Sequence, residues 1–185
     1  MKYIPILFST EMVKALLEGR KTMTRRVVKP QPSSSAEFCR YDAIGQPLFT
    51  DNTCVSVKYK VGDVLWCRET FCEDSTNGVD MFYVHKAGNE NYPMGSCPWR
   101  PLIFMPKQAC RIFLEITEVR VERVQDISDI DVFDEGITLG DSPYDQPLPA
   151  FMALWINING PESWQSNPWV WIVSFKRINK PENFK

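Results

Sequence analysis

A cluster of basic and hydroxyl side chains near the start of the sequence is the segment whose residue types could do chemistry. Residues 19–26 read GRKTMTRR, so eight positions hold four cations and two hydroxyls with no acidic residue among them. Lys29 follows, which brings residues 20–29 to five positive charges in a chain of formal net charge −2. Such a local excess of cations favours an anionic ligand, for example one that carries a phosphate.

A strand and a helix are predicted to position this basic segment. Residues 3–8 read YIPILF, an apolar and partly β-branched run that is typical of a strand. Ser9 or Thr10 can cap a helix whose apolar residues recur at the i, i+3, i+4 spacing of one face. Gly19 suits the left-handed position that ends a helix. The basic segment therefore begins where the helix ends, and its alternation toward Val27 predicts a second strand.

The remainder of the chain is predicted to be dominated by strands. Residues 30–60 lack a regular pattern and begin with the turn-rich PQPSSS, so we interpret them as an insertion or a long loop. Further strands are predicted at 64–71, 81–86, 111–124 and 169–178, loops at 73–80 and 87–101, and helices at 126–135 and 148–158. Helices between strands would also fit a parallel α/β sheet. The irregular spacing and the long alternating strand favour instead a mainly β protein with peripheral helices (α+β), built as a small β-barrel.

Length and composition indicate one globular domain. The 185 residues, of which 44% are hydrophobic and 24% charged, suffice for a single domain with its own core. We expect this domain to span residues 1–185, with insertions at about 30–60 and 73–101. No run of about 18 apolar residues occurs, so a membrane span is not expected. The N-terminal run MKYIPILFST is too soon interrupted for a signal peptide, and we therefore expect a cytoplasmic protein.

The cysteines and the single histidine argue against a metal site. No C-x-x-C pair occurs, and the nearest pair, Cys67 and Cys72, has four residues between its members. A zinc site would require tighter pairs or more histidines than His85 alone. We expect six reduced thiols, as is usual in the cytoplasm, and neither a metal nor another cofactor.

The basic segment resembles the signature of the ASCH domain superfamily, whose general pattern is G-x-K-x-x-E-x-R. Gly19, Lys21 and Arg26 match the Gly, Lys and Arg of this pattern. Thr24 stands where many members have Glu. The small ASCH enzymes that hydrolyse N4-acetylcytidine also carry Thr there, within a similar G-R-K-T-x-T-x-R run. The turn and strand at residues 62–65, GDVL, are similar as well.

The overall pattern of the chain is similar to that of longer ASCH-like proteins of bacteriophages and prophages. The likeness is carried by ILFSTEMVKALLEGRKTMTRRVVKPQP at residues 6–32, by LWCRETF at 65–71, by a W-R-P-x-I-x-M-P run and by SWQSNPWVWIVSF at 163–175. This resemblance implies a PUA-like fold, which is a small twisted β-barrel with short helices and a ligand cleft, and relatives of that fold bind RNA. It also implies a phage or prophage gene whose product is in the cytoplasm of a bacterial host.

The resemblance to the amidohydrolases implies a catalytic set of Lys21, Thr24 and Glu135. The reaction would remove the acetyl group from an N4-acetylated cytosine nucleoside or a related modified pyrimidine. Lys21 would be the nucleophile or base, which requires a pKa well below about 10. Glu135 would shuttle the proton or orient water, and Thr24 would donate to the oxyanion or hold the water. In a regular strand Lys21 and Thr24 point to opposite faces, so the chain would have to turn or bulge between them.

Three arginines are expected to bind the substrate. Arg26 could bind a phosphate or hold Glu135, Arg20 would flank the cleft, and Arg68 could line it. Each of these residues also has an ordinary interpretation. The cations could form a solvated basic strand with cross-strand partners, Arg68 could make a structural ion pair, and Glu135 could be a helix-end carboxylate.

Two other function classes stay open besides the enzyme. A PUA-like module could recognise RNA or a nucleotide in the same cleft without catalysis, and a phage accessory protein could bind a host protein. Residues 30–60 hold three cations and three acids, which is no basic track and favours a small ligand over a long nucleic acid. The predicted partner is therefore a small-molecule nucleoside or RNA, with no membrane and no metal, and the sequence identifies no protein partner.

Overall fold

The computed structural model describes residues 1–76, 78–92, 97–140 and 145–184. Its strands are β1 (Tyr3–Leu7), β2 (Met23–Val27), β3 (Phe38–Tyr41), β4 (Pro47–Phe49), β5 (Val64–Arg68), β6 (Phe71–Thr76), β7 (Asp80–His85), β8 (Phe113–Arg123) and β9 (Trp169–Ile178). Its α-helices are α1 (Thr10–Leu17), α2 (Asp129–Asp134) and α3 (Pro147–Asn159). Short 3-10 helices cover Leu102–Phe104, Lys107–Ala109, Val124–Asp126 and Pro161–Ser163.

The protein is mainly β: of its described residues, 33% are in strands and 22% in helices. In the described part of the chain, five strands form a mixed sheet in the order β1-β5-β8-β9-β2, and β3-β4 and β6-β7 form separate hairpins. This confirms the prediction of a mainly β, α+β protein with few helices. Among the described residues no barrel is closed. Within those same residues, the structure contains no helix with both the length and the apolar character that crossing a membrane requires.

The chain forms two compact units, of which the first comprises Met1–Gly19, Asp63–Glu115 and Lys176–Lys185. Strands β1 and β5 pair in parallel within it, and Ser9 caps α1 by accepting a hydrogen bond from the Met12 amide at 3.4 Å. Its core is a cluster of buried side chains: Val64, Trp66, Phe71, Met105, Ala109, Cys110, Phe113 and Phe184. The predicted first strand and the predicted helix cap are both confirmed.

The second unit comprises Arg20–Gly62 and Ile116–Phe175 and contains the basic segment. Strand β2 pairs with β9 antiparallel along its whole length. A buried apolar cluster packs α2 and α3 against these strands: Met23, Val124, Ile127, Val132, Phe151, Trp155, Val170 and Ile172. Since Met23 belongs to this cluster, every second residue of β2 faces the same core.

The run predicted as one strand at residues 64–71 is interrupted. Strand β5 ends at Arg68 and β6 begins at Phe71. Between them Glu69 is 1% exposed, and its two carboxylate oxygens accept hydrogen bonds from Arg111 at 2.9 and 2.8 Å. A buried carboxylate needs such a partner, and the break in the strand lets Glu69 reach it.

Two segments that were predicted as loops contain hairpins. Residues 30–60 include β3 and β4, and residues 73–80 include the end of β6 and a turn at Gly78, whose φ is 72°. Residues 73–76 at the end of β6, EDST, are polar and therefore resemble a loop. Strands β3 and β4 have only four and three residues, which is too short to show a strand pattern in the sequence. Residues 77 and 93–96 of the predicted insertion at 73–101 lie outside the described residues. The prediction of one domain with two insertions stays a prediction.

A disulfide joins Cys72 to Cys97. The expectation of six reduced thiols is therefore wrong for this pair. The other four cysteines are free: Cys39, Cys54, Cys67 and Cys110. The two bonded residues are 25 positions apart in sequence. The hairpin β6-β7 pairs Cys72 with Val84, and Cys97, which follows the hairpin, packs with both in a small buried cluster. Spacing alone could not indicate this pairing.

Candidate functional site

Lys21 and Glu135 meet inside the second unit although they are 114 positions apart in the sequence. Their main chains form an isolated antiparallel bridge. Lys21 Nζ donates to Glu135 Oε2 at 2.7 Å and to the Glu135 main-chain oxygen at 2.8 Å. The two side chains are 0% and 5% exposed. Each charge therefore depends on the other, because either one alone would be costly to bury.

The end of helix α2 positions Glu135. Ser128 caps the start of α2, where its hydroxyl accepts a hydrogen bond from the Asp131 amide at 3.2 Å. Gly136 has a φ of 86°, so the chain leaves the helix in a left-handed conformation. Arg20 Nη1 donates to the Gly136 carbonyl oxygen at 2.6 Å. Cations of the basic segment thus bind the carbonyl end of α2, where the helix dipole favours positive charge.

Arg25 is a second cation on Glu135, and it is absent from the catalytic set that the resemblance implies. Its Nη1 lies 3.4 Å from Glu135 Oε1, and its Nη2 lies 2.6 Å from Asp131 Oδ2. Asp131 also accepts a hydrogen bond from Arg120 at 3.2 Å. The Arg25 guanidinium lies 5.8 Å from the centroid of the Phe151 ring. Together with the contact between Lys21 and Glu135, these contacts form one network. It joins two carboxylates, Asp131 and Glu135, to three cations, Lys21, Arg25 and Arg120.

Alternation along β2 is the sequence signal that could have identified Arg25. Met23 belongs to the apolar core, and Arg25 is two residues further along the same strand. A strand places such residues on one face, so Arg25 must face the core as well. A guanidinium in that position needs carboxylate partners, and the acidic run at residues 129–135 supplies them.

The pKa of Lys21 is lowered from its usual value of 10.5, and burial is the main cause. Glu135 opposes the shift through its charge and its hydrogen bond, whereas the charges of Arg26 and Arg25 lower the pKa further. Lys21 therefore releases a proton more readily than an exposed lysine. A lysine that acts as nucleophile or base requires this property.

Thr24 and Arg26 point to the other face of β2. The register between β2 and β9 is unbroken, so the side chains of β2 alternate strictly. Thr24 is 1% exposed, and Arg26 is the cross-strand partner of Trp171. Of the predicted catalytic set, the structure brings Lys21 and Glu135 together and leaves Thr24 on the opposite face of the strand.

Arg68 belongs to the first unit, where main-chain carbonyls hold it. Its Nε donates to the Met105 oxygen at 3.1 Å, and its Nη2 donates to the Ile103 oxygen. The guanidinium lies 5.6 Å from the Trp66 ring centroid. These are the contacts of a structural arginine, and the substrate-binding role of Arg68 stays a prediction.

A cavity of about 810 Å³ lies in the second unit beside the far end of β2. This volume is within the range that holds small molecules. Its lining includes three cations and three aromatic residues: Arg26, Lys29, Lys58, Tyr59, Trp155 and Trp171. Of the predicted site residues, Arg26 belongs to the described lining, whereas Lys21, Thr24 and Glu135 do not.

Comparison with known proteins assigns no family to the chain. No family model, curated protein or solved structure matches it. The ASCH resemblance therefore depends on the sequence motif alone.

The arrangement can transfer protons and bind anions. The Lys21–Glu135 pair supplies a cation of lowered pKa in contact with a carboxylate, and the cavity supplies cations beside aromatic rings. In the part of the chain that the structure describes, no three His, Cys, Asp or Glu side chains lie close enough to hold a metal ion.

Proposed function

We propose that this protein is an ASCH-type amidohydrolase with a PUA-like fold, which removes the acetyl group from an N4-acetylated cytosine nucleoside or a related modified pyrimidine. Lys21 and Glu135 are its catalytic pair, and the cavity lined by Arg26 receives the substrate. In keeping with the resemblance, the protein is phage- or prophage-encoded and works in the cytoplasm of a bacterial host, without a cofactor.

The observation that carries this proposal is the contact of 2.7 Å between Lys21 Nζ and Glu135 Oε2 at a site withdrawn from water. Buried ion pairs contribute little net stability, since the cost of desolvation offsets much of their attraction. A buried lysine of lowered pKa that touches a carboxylate is therefore a candidate for function. The resemblance to the ASCH amidohydrolases implies the same two residues, of which Lys21 belongs to the basic motif.

The pair can supply both proton transfers of amide hydrolysis. Transfer of one proton from Lys21 to Glu135 gives an uncharged amine and a carboxylic acid. The amine then takes a proton from water while the hydroxide adds to the acetyl carbonyl carbon. The Glu135 carboxylic acid protonates the departing N4 amine as the C–N bond breaks, which releases acetic acid and restores the charged pair; the acetic acid then loses its proton to solvent.

The edge position of β2 gives the substrate a route to the pair. Strand β2 is at one end of the strand order, so beyond it no further strand pairs among the described residues. In the closed structure Thr24 and Arg25, on opposite faces of the strand, are 1% and 3% exposed, so a ligand at this edge contacts them only after the residues that cover them move. The proposal requires the Lys21–Glu135 contact to open when the substrate binds. Thr24 lies on the opposite face of the strand, so this mechanism does not use it and its catalytic role stays a prediction.

Release of cytidine from N4-acetylcytidine by the purified protein tests the proposal. We expect turnover by the wild type and its loss in Lys21→Ala and Glu135→Gln. Lys60→Ala, which changes an exposed lysine of the same unit, is the matched control and should retain activity. Circular dichroism of each variant shows whether it is folded. No turnover of N4-acetylcytidine or of its 5′-monophosphate by the folded wild type at high enzyme concentration would reject the hydrolase.

A non-catalytic nucleotide- or RNA-binding module is the second candidate. Side-chain exposures of 0% and 5% for Lys21 and Glu135, and their absence from the described cavity lining, favour it. In this case the ion pair only holds α2 against β2. The module would bind its ligand in the cavity with equal affinity in the wild type and in folded Lys21→Ala, and neither would turn the ligand over.

A further inference from the structure

The cavity beside β2 concentrates positive charge in a protein whose net charge is negative. Arg26, Lys29 and Lys58 all belong to its lining, and none of the described lining residues is acidic. The chain as a whole has a formal net charge of −2. Three cations in one lining, of which Lys29 and Lys58 are exposed, raise the local concentration of anions.

Two segments of the chain carry these cations: residues 26–31, which begin in β2, and residues 56–59. After β2, the Gln31 side chain donates to the main-chain oxygens of Val28 and Trp169 at 2.7 and 2.8 Å, and it accepts from the Trp169 amide at 2.9 Å. These three hydrogen bonds fix the segment that carries Lys29. The cation positions on this side of the cavity therefore depend on ordered main chain rather than on a loose loop.

Lys58 belongs to the second of these segments, and a pair of aromatic residues fixes its position. Its Nζ lies 5.2 Å from the centroid of the Tyr59 ring, and Tyr59 is 3% exposed. The Tyr59 ring meets Trp171 edge to face at 6.4 Å between centroids. Trp171 is in turn the cross-strand partner of Arg26. One aromatic contact thus links the two segments that supply the cations.

We propose that this cavity binds a pyrimidine nucleotide, with its phosphate among Arg26, Lys29 and Lys58 and its base beside Trp155 and Trp171. The pyrimidine identity rests on the proposed function, whereas the phosphate site rests on the cavity alone. Cations and aromatic rings in one pocket of this volume suit a ligand that joins a phosphate to a flat base. The substrate of the proposed hydrolase is therefore the nucleotide rather than the free nucleoside.

Isothermal titration with cytidine 5′-monophosphate, cytidine and inorganic phosphate tests the site. We expect the nucleotide to bind at least about tenfold more tightly than cytidine, since each charge-assisted hydrogen bond contributes that much or more. The difference should shrink between about 50 and about 200 mM salt. Inorganic phosphate should compete with the nucleotide and leave cytidine binding unchanged.

The double variant Lys29→Gln/Lys58→Gln isolates the phosphate contacts. It should lose most of the preference for the nucleotide while it keeps the affinity for cytidine. Lys60→Gln, which removes an exposed lysine close in sequence, should behave as the wild type does. Equal affinities of the wild type for cytidine and its monophosphate, or an unchanged preference in the double variant, would overturn the proposal. An affinity that rises steadily with the length of an RNA oligonucleotide would overturn it in favour of a polymer site.

Turnover and binding separate this proposal from the hydrolase. If the nucleotide binds as expected but N4-acetylcytidine and its monophosphate are not hydrolysed, the hydrolase fails and the phosphate site stands. If both are hydrolysed with equal kcat/KM, the hydrolase stands and the phosphate site fails. Hydrolysis that strongly prefers the monophosphate supports both.

Discussion

Lys21 holds Glu135 at two points, because its Nζ donates to the carboxylate at 2.7 Å and to the main-chain oxygen of the same residue at 2.8 Å. The main-chain bridge between the two residues adds a third connection. The side chain of Glu135 is thus fixed relative to its own backbone and to the residues that lead into β2. A proton can pass directly between these two groups without a change of rotamer.

The buried pair should be strongly coupled in folding. Lys21→Met and Glu135→Leu should each lower the free energy of unfolding by about 3 kcal/mol, because each leaves its partner's charge buried. The double variant should cost at least about 2 kcal/mol less than the sum of the two, since it leaves neither charge of the pair. Urea unfolding of the wild type and the three variants measures this coupling.

An exposed ion pair provides the control for this double-mutant cycle of Lys21 and Glu135. Lys176 and Glu115 are 3.1 Å apart, and their side chains are 61% and 37% exposed. The corresponding cycle with Lys176→Met and Glu115→Leu should give a coupling of no more than about 0.5 kcal/mol. Equal couplings for the two pairs would mean that Lys21 and Glu135 are effectively solvated, contrary to the structure.

Arg25 should lower the pH at which the Lys21–Glu135 pair loses its proton. Its charge lowers the pKa of Lys21, so Arg25→Gln should raise that pKa. Because the proposed mechanism needs the proton that the pair shares, the basic limb of the profile of kcat/KM for cytidine release, where Lys21 loses that proton, moves to higher pH. Arg40→Gln, which changes an exposed arginine of the same unit, should leave the profile in place. If Arg25→Gln lowers kcat/KM equally at every pH and leaves the limb of the profile in place, Arg25 has a structural role only.

Local signals in the sequence were sufficient for the elements that carry the site. Ser9 and Ser128 each cap a helix, and Gly19 and Gly136 adopt positive φ where those helices end. Capping and left-handed exits depend on one or two residues, so a sequence can indicate them directly. The final strand at residues 169–178 was predicted for a similar reason, because it begins with five consecutive apolar residues, WVWIV.

Features that depend on contacts between residues far apart in the sequence could not be predicted from local patterns. The role of Arg25 depends on Asp131, and the break after Arg68 depends on Glu69 reaching Arg111. In each case a buried charge finds its partner across more than 40 positions of sequence. Such pairings follow from the fold and not from a local sequence pattern. For the same reason, the sequence could not predict that Lys21 and Glu135 lie outside the described lining of the cavity.

The disulfide should stabilise the first unit. Cys72→Ser/Cys97→Ser opens a loop whose ends are 25 positions apart, which should lower the free energy of unfolding by about 3 kcal/mol. Titration of thiols in unfolded protein should detect four before reduction and six after it. Cys39→Ser/Cys54→Ser removes two exposed free thiols and should leave stability unchanged. Six thiols without reductant would contradict the pairing.

His85 should make the stability of the protein depend on pH below 6.5. Burial lowers the pKa of His85 from 6.5, and the hydrogen bond that its Nε2 makes to the Ala109 oxygen at 2.7 Å only partly opposes this shift. Between the lowered pKa and 6.5 the unfolded chain therefore binds more protons than the folded one, so stability rises with pH across that window.

Two measurements check this window. Since His85 is the only histidine, its ring protons give a single titration curve by NMR, whose midpoint should lie below 6.5 in the folded protein. In urea unfolding from pH 5 to pH 7, about the range in which histidine titrates, the wild type should lose stability relative to His85→Gln as the pH falls. The variant carries no group that titrates at this position, so it removes the proton difference and keeps a donor for the Ala109 oxygen. A wild type that gains stability relative to the variant on acidification would show that the charged imidazole is the favoured form in the folded protein.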